Sequence, residues 1–216
     1  GLALTAWISF RFFPGSQGSG IPQVKTALEL SHTMEERSKL VSFRIAIGKT
    51  FLPIMGLLSG ASVGFGGPAT HVGASLMASL GRAFKFPAHY MEKGLLLAGS
   101  AAGFAAMFSA PLGGIMFAIE EMGRTLEERI GTLVLTEIIF SGVTAYSILN
   151  HTIYFTDNQL SLPWGYRWLA IPLCGISGGL LGGIFSKIIV SGQNHIKKRG
   201  YPIVRAAFIC GCVIAL

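Results

Sequence analysis

The chain alternates long apolar runs with short polar segments, and the lengths of the runs indicate helices that enter a membrane. A polar amphipathic stretch at Val24–Lys39 precedes the mainly apolar run Val41–Val63. Gly94–Ile119 contains no charged side chain, and Trp168–Ser186 is another uncharged run. A helix needs about 20 apolar residues to cross the hydrocarbon core of a bilayer, so these runs predict an all-helical integral membrane protein.

Proline and polar residues divide the runs into separate elements. Pro111 lies well inside an uncharged run, so two helices are predicted to meet at Ser109 and Ala110, because proline disrupts a helix interior. Val24–Lys39 is predicted to form a short helix and an exposed connection. Further helices are predicted at Val41–Val63, Gly67–Leu80, Pro87–Phe108, Glu127–Leu149 and Trp168–Ser186. His151–Trp164 is predicted to be a polar loop near lipid headgroups and Lys187–Arg205 a basic segment outside the bilayer.

Charges and glycines inside the runs predict how these helices pack. Arg44 and Lys49 interrupt an apolar run, which favours a tilted helix buried against protein, and Lys49 there needs a partner or access to water. Gly175, Gly179 and Gly183 are spaced four residues apart, a pattern typical of close helix contact within membranes. We interpret that glycine face as a packing feature.

Composition supports a membrane protein and argues against several other classes. Hydrophobic residues make up 51% of the 216 residues and charged residues 12%, with 29 glycines, and the mean hydropathy is +0.58. The formal net charge is +7, but the basic residues are dispersed, so no nucleic-acid partner is expected. The histidines and cysteines show no metal-ligand or catalytic spacing, so neither an enzyme nor a cofactor is expected.

Small residues lead directly into a proline and an apolar helix at three places: GSGIP at Gly18–Pro22, GFGGP at Gly64–Pro68, and SAP at Ser109–Pro111. Proline suits the first turn of a helix, and a helix that begins inside a membrane leaves its first amides free. Free amides at the positive end of a helix dipole attract small anions. The pattern indicates anion transport, although ordinary helix starts at a membrane interface would produce it too.

The same segments resemble the CLC family of chloride channels and chloride/proton antiporters. The resemblance rests on GSGIP, on GFGGPATHVGASL at Gly64–Leu76 and on AAGFAAMFSAPLGGIMFAIEEM at Ala101–Met122, in that order. It implies an inverted-repeat architecture with broken and tilted helices, of which residues 14–151 form the first repeat. Residues 152–216 would be a connecting loop, a long helix and the start of the next helix. The whole chain, 1–216, would then be a partial transmembrane domain of a multi-pass protein of the cell or plasma membrane.

The family resemblance also implies partners and pore residues. It implies a homodimer in lipid whose subunits each move chloride, and it places Ser19, with the backbone of Gly20 and Ile21, at the anion. Gly64–Pro68 is similar to the family's GREGP motif, whose glutamate acts as gate and proton carrier. Here Phe65 and Gly66 replace its arginine and glutamate, and the anion is expected to be faced by Phe65, Gly66 and Gly67.

Glycine at the gate position cannot carry a proton or compete with an anion, so a passive, channel-like conductance is expected. An antiporter with altered coupling is the alternative, and a membrane scaffold without transport is the third choice. Proton-pathway candidates are Glu121, which matches the inner proton-transfer glutamate of the family's exchangers, its neighbour Glu120, and His71. Lys25 stands where exchangers of the family often have an acid.

Overall fold

The computed structural model describes the backbone of residues 1–30, 34–84, 88–122, 128–148, 165–198 and 203–214. Every regular element in these ranges is a helix. In chain order they are α1 (Leu2–Phe12), α2 (Ile21–Glu29), α3 (Met34–Leu40), α4 (Phe43–Leu58), α5 (Gly66–Ala83), α6 (Ala88–Phe108), α7 (Pro111–Phe117), α8 (Glu128–Ile148), α9 (Ala170–Lys198) and α10 (Ile203–Ile214). A π-helical turn, Ala118–Met122, continues α7, and a short 3-10 turn, Tyr166–Leu169, precedes α9.

Proline and glycine punctuation sets several of these boundaries. Helix α6 ends at Phe108 and α7 starts at Pro111, so the predicted break at Ser109 and Ala110 is present. Ser109 has a φ of 49°, which is a left-handed backbone conformation. A right-handed helix needs a negative φ, so the helix cannot continue through Ser109. The predicted loop His151–Trp164 lies outside the described residues.

The core of the described structure is a layer of helices built on α5, α6 and α8. Helix α6 packs against both α5 and α8, and α2 contributes Val24 and Ala27 to the same core. Small residues allow the closest approach: a Cβ on Gly73 or Gly103 of α5 and α6 would collide with the facing backbone. Small-residue packing of this kind is what holds helices together where lipid removes the hydrophobic drive.

Helix α9 differs from its prediction in two ways. It continues to Lys198, so the basic segment predicted outside the bilayer from Lys187 onward is helical over much of its length. A stretch of it, Ala170–Asn194, has the length and hydropathy of a membrane span, as does Glu35–Leu58. No described atom lies within 4 Å of a Cβ built on Gly175, Gly179 or Gly183, so the close contact predicted for that face is not seen in the described part of the chain.

Candidate functional site

The loop before α2 rests directly on the first turn of α5. A Cβ on Gly67 would collide with the hydroxyl and the carbonyl oxygen of Ser19. A Cβ on Gly20 would lie 2.7 Å from the His71 Cβ and 2.8 Å from the Gly67 carbonyl oxygen. Because only glycine fits on either side of this contact, the first two glycine-proline segments of the sequence meet at one place in the fold.

Backbone amides without partners collect at this contact. Helix α2 begins at Ile21 and α5 begins at Gly66, and no hydrogen bond from the amides of Ser19, Ile21, Gly66 or Gly67 is found within the described residues. Pro68 has no amide hydrogen to contribute. The Ser19 side chain is exposed beside these amides. Two positive helix ends and a hydroxyl donor in contact form a setting that favours a small anion.

Gly20 plays a different part from the one its sequence position predicts. Its amide donates a hydrogen bond to the Gln23 side-chain oxygen at 3.0 Å, so that amide already has an acceptor. The Gln23 side-chain nitrogen donates in turn to the Gln17 carbonyl at 2.5 Å. Gly20 has a φ of 111°, a left-handed-side conformation that favours glycine. It therefore shapes the loop, while its neighbours offer the free amides.

The predicted gate position lies open at the start of α5. A Cβ on Gly66 would meet no atom within 4 Å in the described structure. Phe65 immediately before it is 40% exposed. Neither residue bears a charge or a titratable group, so the chemistry at this end of α5 comes from the backbone.

The third glycine-proline junction lies elsewhere. Pro111 starts α7 against Gly142 of α8, where a Cβ on the glycine would lie 2.6 Å from the proline ring. The Ala110 amide donates to the Ala105 carbonyl at 3.0 Å and is not free. Of the three similar sequence segments, two meet at the candidate site, and the third builds the α6–α7–α8 corner.

His71 is buried directly behind the site. Its ring nitrogen Nε2 lies 2.7 Å from the Leu40 carbonyl oxygen; because that oxygen can only accept, Nε2 is the donor. Its Nδ1 is buried without a hydrogen-bond partner in the described structure. The side chain has no solvent exposure, which indicates a packing role between α3 and α5.

The two acidic proton-pathway candidates lie in the π-helical turn after α7, and both are exposed. Glu121 pairs with Lys25 of α2, with 2.6 Å between the ammonium nitrogen and the carboxylate oxygen. This contact joins α2, which starts at the candidate site, to the π-helical turn after α7. Lys25 and Glu121 were singled out from the sequence independently. They are 96 residues apart, and nothing in the sequence predicted that they would pair.

Buried charges are the site features that sequence reasoning used least. Lys49 of α4 donates a hydrogen bond to the Gly18 carbonyl, just before the loop that touches α5. Glu137 of α8 has a buried carboxylate oxygen that finds no hydrogen-bond partner among the described residues, and it lines a groove between α5, α6 and α8. The signal available for Lys49 was its charge within an apolar run, which predicted that it needed a partner.

Comparison with known proteins matches this geometry to one family. A family model described as "voltage gated chloride channel" matches residues 1–216. The chain belongs to the CLC family. The fold is similar to that of a solved structure titled "X-ray crystal structure of a slow cyanobacterial Cl-/H+ antiporter", with a TM-score of 0.81 and 26% sequence identity. The match covers 99% of this chain and 49% of that one, so the CLC chain described here spans about half the length of the matched structure.

Family membership confirms the recognition made from GSGIP and the two longer segments, and it confirms a partial CLC membrane fold built of helices. CLC proteins are integral membrane channels or transporters, consistent with the expectation that this chain is not an enzyme. The division at residues 14–151 and 152–216 and the individual roles of the site residues stay predictions.

Proposed function

We propose that the full-length protein moves chloride across a membrane, and that Ser19 together with the amides of Ile21, Gly66 and Gly67 supplies part of its anion path. The supporting observation is the contact of two helix starts whose amides have no partner among the described residues. Anions satisfy such amides without a fixed countercharge, and the moderate binding that results allows an ion to leave again.

The proposed mode is passive, channel-like conduction. A side chain at the gate position would have to carry a carboxylate to compete with the anion and to move protons, and Gly66 carries none. Its neighbour Phe65 offers no substitute group. Chloride is the proposed ion, lipid surrounds the protein in the cell or plasma membrane, and a homodimer with one path per subunit is the proposed assembly.

Proton-coupled antiport is the second candidate. It is favoured by the similarity to a structure titled as a Cl-/H+ antiporter and by the acidic residues Glu120 and Glu121. Glu121 pairs with Lys25 in the described structure. A membrane scaffold without transport is the third candidate. That role does not explain why amides without hydrogen-bond partners among the described residues lie where the loop contacts α5.

A flux experiment separates these candidates. The full-length protein is reconstituted in liposomes at fixed chloride, a pH gradient is imposed, and chloride and proton movement are recorded together. Channel-like conduction predicts chloride flow down its gradient and a reversal potential that does not respond to pH. Uphill chloride movement driven by protons would instead establish antiport, and an absence of chloride flux would leave the scaffold.

A further inference from the structure

The side chain of His71 connects two helices behind the candidate site. It extends from the second turn of α5 and has no exposed surface. Its Nε2 donates a hydrogen bond at 2.7 Å to the carbonyl oxygen of Leu40, the last residue of α3. Its Nδ1 has no partner in the described part of the chain, so the bond to Leu40 is the hydrogen bond that fixes the ring there. The ring is therefore tied to α3 as well as to its own helix.

His71 also forms a wall against the loop before α2. A Cβ built on Gly20 would lie 2.7 Å from the His71 Cβ and 3.1 Å from its Cγ. The same Cβ would lie 2.8 Å from the Gly67 carbonyl oxygen. Gly20 therefore fits into a notch between the first turn of α5 and the His71 side chain. Ser19 and Ile21 flank Gly20, so the position of this notch sets where the Ser19 hydroxyl and the Ile21 amide lie.

A second donor of α5 holds the end of α3 without reaching this loop. Arg82, in the last turn of α5, donates to the Val41 carbonyl at 3.1 Å and to the Ser79 hydroxyl at 3.2 Å. His71 and Arg82 are eleven residues apart, so they share a face of the helix, with about 16 Å between them along its axis. Of these two donors, His71 is the one that also contacts Gly20.

We propose that His71 is a positioning residue for the anion path. Its ring, held by the Leu40 carbonyl, supports Gly20 and so sets the distance between Ser19 and the first turn of α5. The proposal rests on the proposed transport function and deepens it, because it assigns the residue that places the anion-facing loop. His71 acts here through its shape and its Nε2 donor, and no proton leaves the ring.

Three substitutions separate positioning of the loop from general packing. His71→Gln keeps a side-chain N–H donor for the Leu40 carbonyl, whereas His71→Leu keeps apolar volume and has no donor. Arg82→Met is the matched control, because it removes the other donor at the same α3–α5 joint, at the end of α5 remote from Gly20. Chloride and nitrate affinities are measured by calorimetry on the detergent-purified full-length protein, together with its thermal unfolding.

We expect His71→Leu to weaken chloride affinity about fivefold or more, because the Leu40 carbonyl loses its buried donor and the loop loses a fixed support. Nitrate is larger and should lose less affinity, so the ratio of nitrate to chloride affinity should rise. His71→Gln should keep both affinities within about twofold of the wild type. Arg82→Met should lower the unfolding midpoint and also leave both affinities within about twofold, since it acts far from the loop.

A folded His71→Leu variant with wild-type affinity for both anions would overturn the positioning role. An equal loss of chloride affinity in Arg82→Met would overturn it too, because the loss would then follow from a looser α3–α5 joint. If His71→Leu does not fold, His71→Asn takes its place, since its amide is one carbon shorter than that of glutamine and cannot extend as far towards Leu40. Wild-type chloride affinity in that variant would contradict the proposal in the same way.

Amide hydrogen exchange at residues 18–21 gives a readout that needs no anion. In chloride-free buffer, His71→Leu should speed exchange in this loop by about threefold or more, and Arg82→Met should not. If the wild type neither binds nor moves chloride while exchange changes as expected, the transport proposal fails and the support of the loop by His71 stands. If the wild type moves chloride and His71→Leu changes neither exchange nor affinity, transport stands and the positioning role fails.

Discussion

Two glycines decide how closely the loop before α2 approaches the first turn of α5. Gly20 and Gly67 each face backbone or side-chain atoms across the contact, and neither has room for a methyl group. Because both positions lack a side chain, the loop can approach α5 closely enough for the Ser19 hydroxyl to lie at the start of that helix. At this site both glycines set the distance between the loop and α5, and Gly20 also takes the positive φ that shapes the loop.

A methyl group at Gly67 should push Ser19 away from α5. Gly67→Ala is expected to reduce chloride binding about tenfold and to lower stability by about 1–3 kcal/mol, the usual cost of overpacking. Gly64→Ala is the matched control, because a Cβ on Gly64 meets no described atom within 4 Å. Calorimetric chloride titration and thermal unfolding of the full-length protein measure both effects. Equal behaviour of the two variants would contradict the spacer role.

The open space at Gly66 allows the opposite experiment. In Gly66→Glu the new Cβ meets no described atom within 4 Å, and the added carboxylate should compete with chloride for the amides of α5. We expect chloride flux at neutral pH to fall about tenfold or more and to recover as pH is lowered and the carboxylate is protonated. Gly66→Gln should show no such pH dependence. Gly64→Glu, which adds the same charge outside the helix, controls for general electrostatics; a matching pH response there would contradict a specific gate.

At the residue scale, the sequence predicted local backbone features and did not predict contacts between distant segments. The glycine-proline segments predicted where helices start with free amides, because those preferences are local. They did not predict that Gln23 takes the Gly20 amide or that Ser109–Pro111 lies away from the other two segments. Those outcomes depend on which helices pack together, and a short segment holds no information on its distant partners.

At the scale of elements, α5 and α6 form the rigid support of the candidate site. Their backbones approach through Gly73, Gly99 and Gly103, where any Cβ would collide with the facing chain. The side-chain hydroxyl of Ser141 on α8 donates to the Ala102 carbonyl at 2.8 Å and fixes α8 to the other face of α6. The first turn of α5 is thereby held by a three-helix layer.

A substitution at the crossing should test that support. Gly103→Ala places a methyl group against the Ala69 carbonyl, and we expect a loss of about 1–3 kcal/mol in stability from overpacking. In Gly131→Ala on α8 the new methyl group meets no described atom within 4 Å, and the variant should be neutral or stabilising by up to about 1 kcal/mol, since alanine is the better helix former. Thermal unfolding in detergent compares the pair. A tolerant Gly103→Ala variant would show that the crossing is looser than described.

The Lys25–Glu121 contact links two elements more weakly. Both side chains are over two-fifths exposed, at 42% and 44%, and such pairs contribute about 0–1 kcal/mol. We expect a double-mutant cycle with Lys25→Gln and Glu121→Gln to give a coupling energy below about 1 kcal/mol that falls further as salt is added. A coupling energy of several kcal/mol, insensitive to salt, would show that this pair is buried in the assembled protein.

Helix boundaries were more predictable than helix partners. The breaks near Ser109 and at Pro68 follow from proline chemistry and appear within a few residues of their predicted positions. Helix α9 was predicted too short, because lysines from Lys187 onward were assigned to a polar segment although lysine is a good helix former. The spacing of Gly175, Gly179 and Gly183 predicts a close helix contact but does not identify the partner helix.

At the scale of the whole molecule, one side of the described structure is apolar and open. The described side chains of α9 are exposed, among them Ile171, Leu173, Leu180 and Phe185, and α9 makes its main described contact with the short turn before it. Exposure of so many large apolar side chains is typical of surfaces that face lipid or further protein. The matched antiporter chain, twice as long, fits that expectation.

The chain alone should therefore not conduct. Its candidate anion path has amides on the side formed by α2 and α5, and a path that excludes lipid needs walls on every side. We expect residues 1–216 in liposomes to give chloride flux equal to that of empty vesicles, while the full-length protein conducts. Flux from residues 1–216 alone, blocked by Gly67→Ala, would contradict this and place a complete path within the chain.

The space beside Gly66, which no described atom occupies within 4 Å of a Cβ, has a practical consequence for chemical labelling. A thiol introduced by Gly66→Cys would stand where a methanethiosulfonate reagent has room to reach it, so modification could place either charge at the start of α5 in an assembled, functioning protein. The native thiols of Cys174, Cys210 and Cys212 would first be replaced by serine, because thiols such as the exposed Cys174 and Cys212 would react as well. If an anion passes this position, a negatively charged label should reduce chloride flux and a positively charged label of similar size should not.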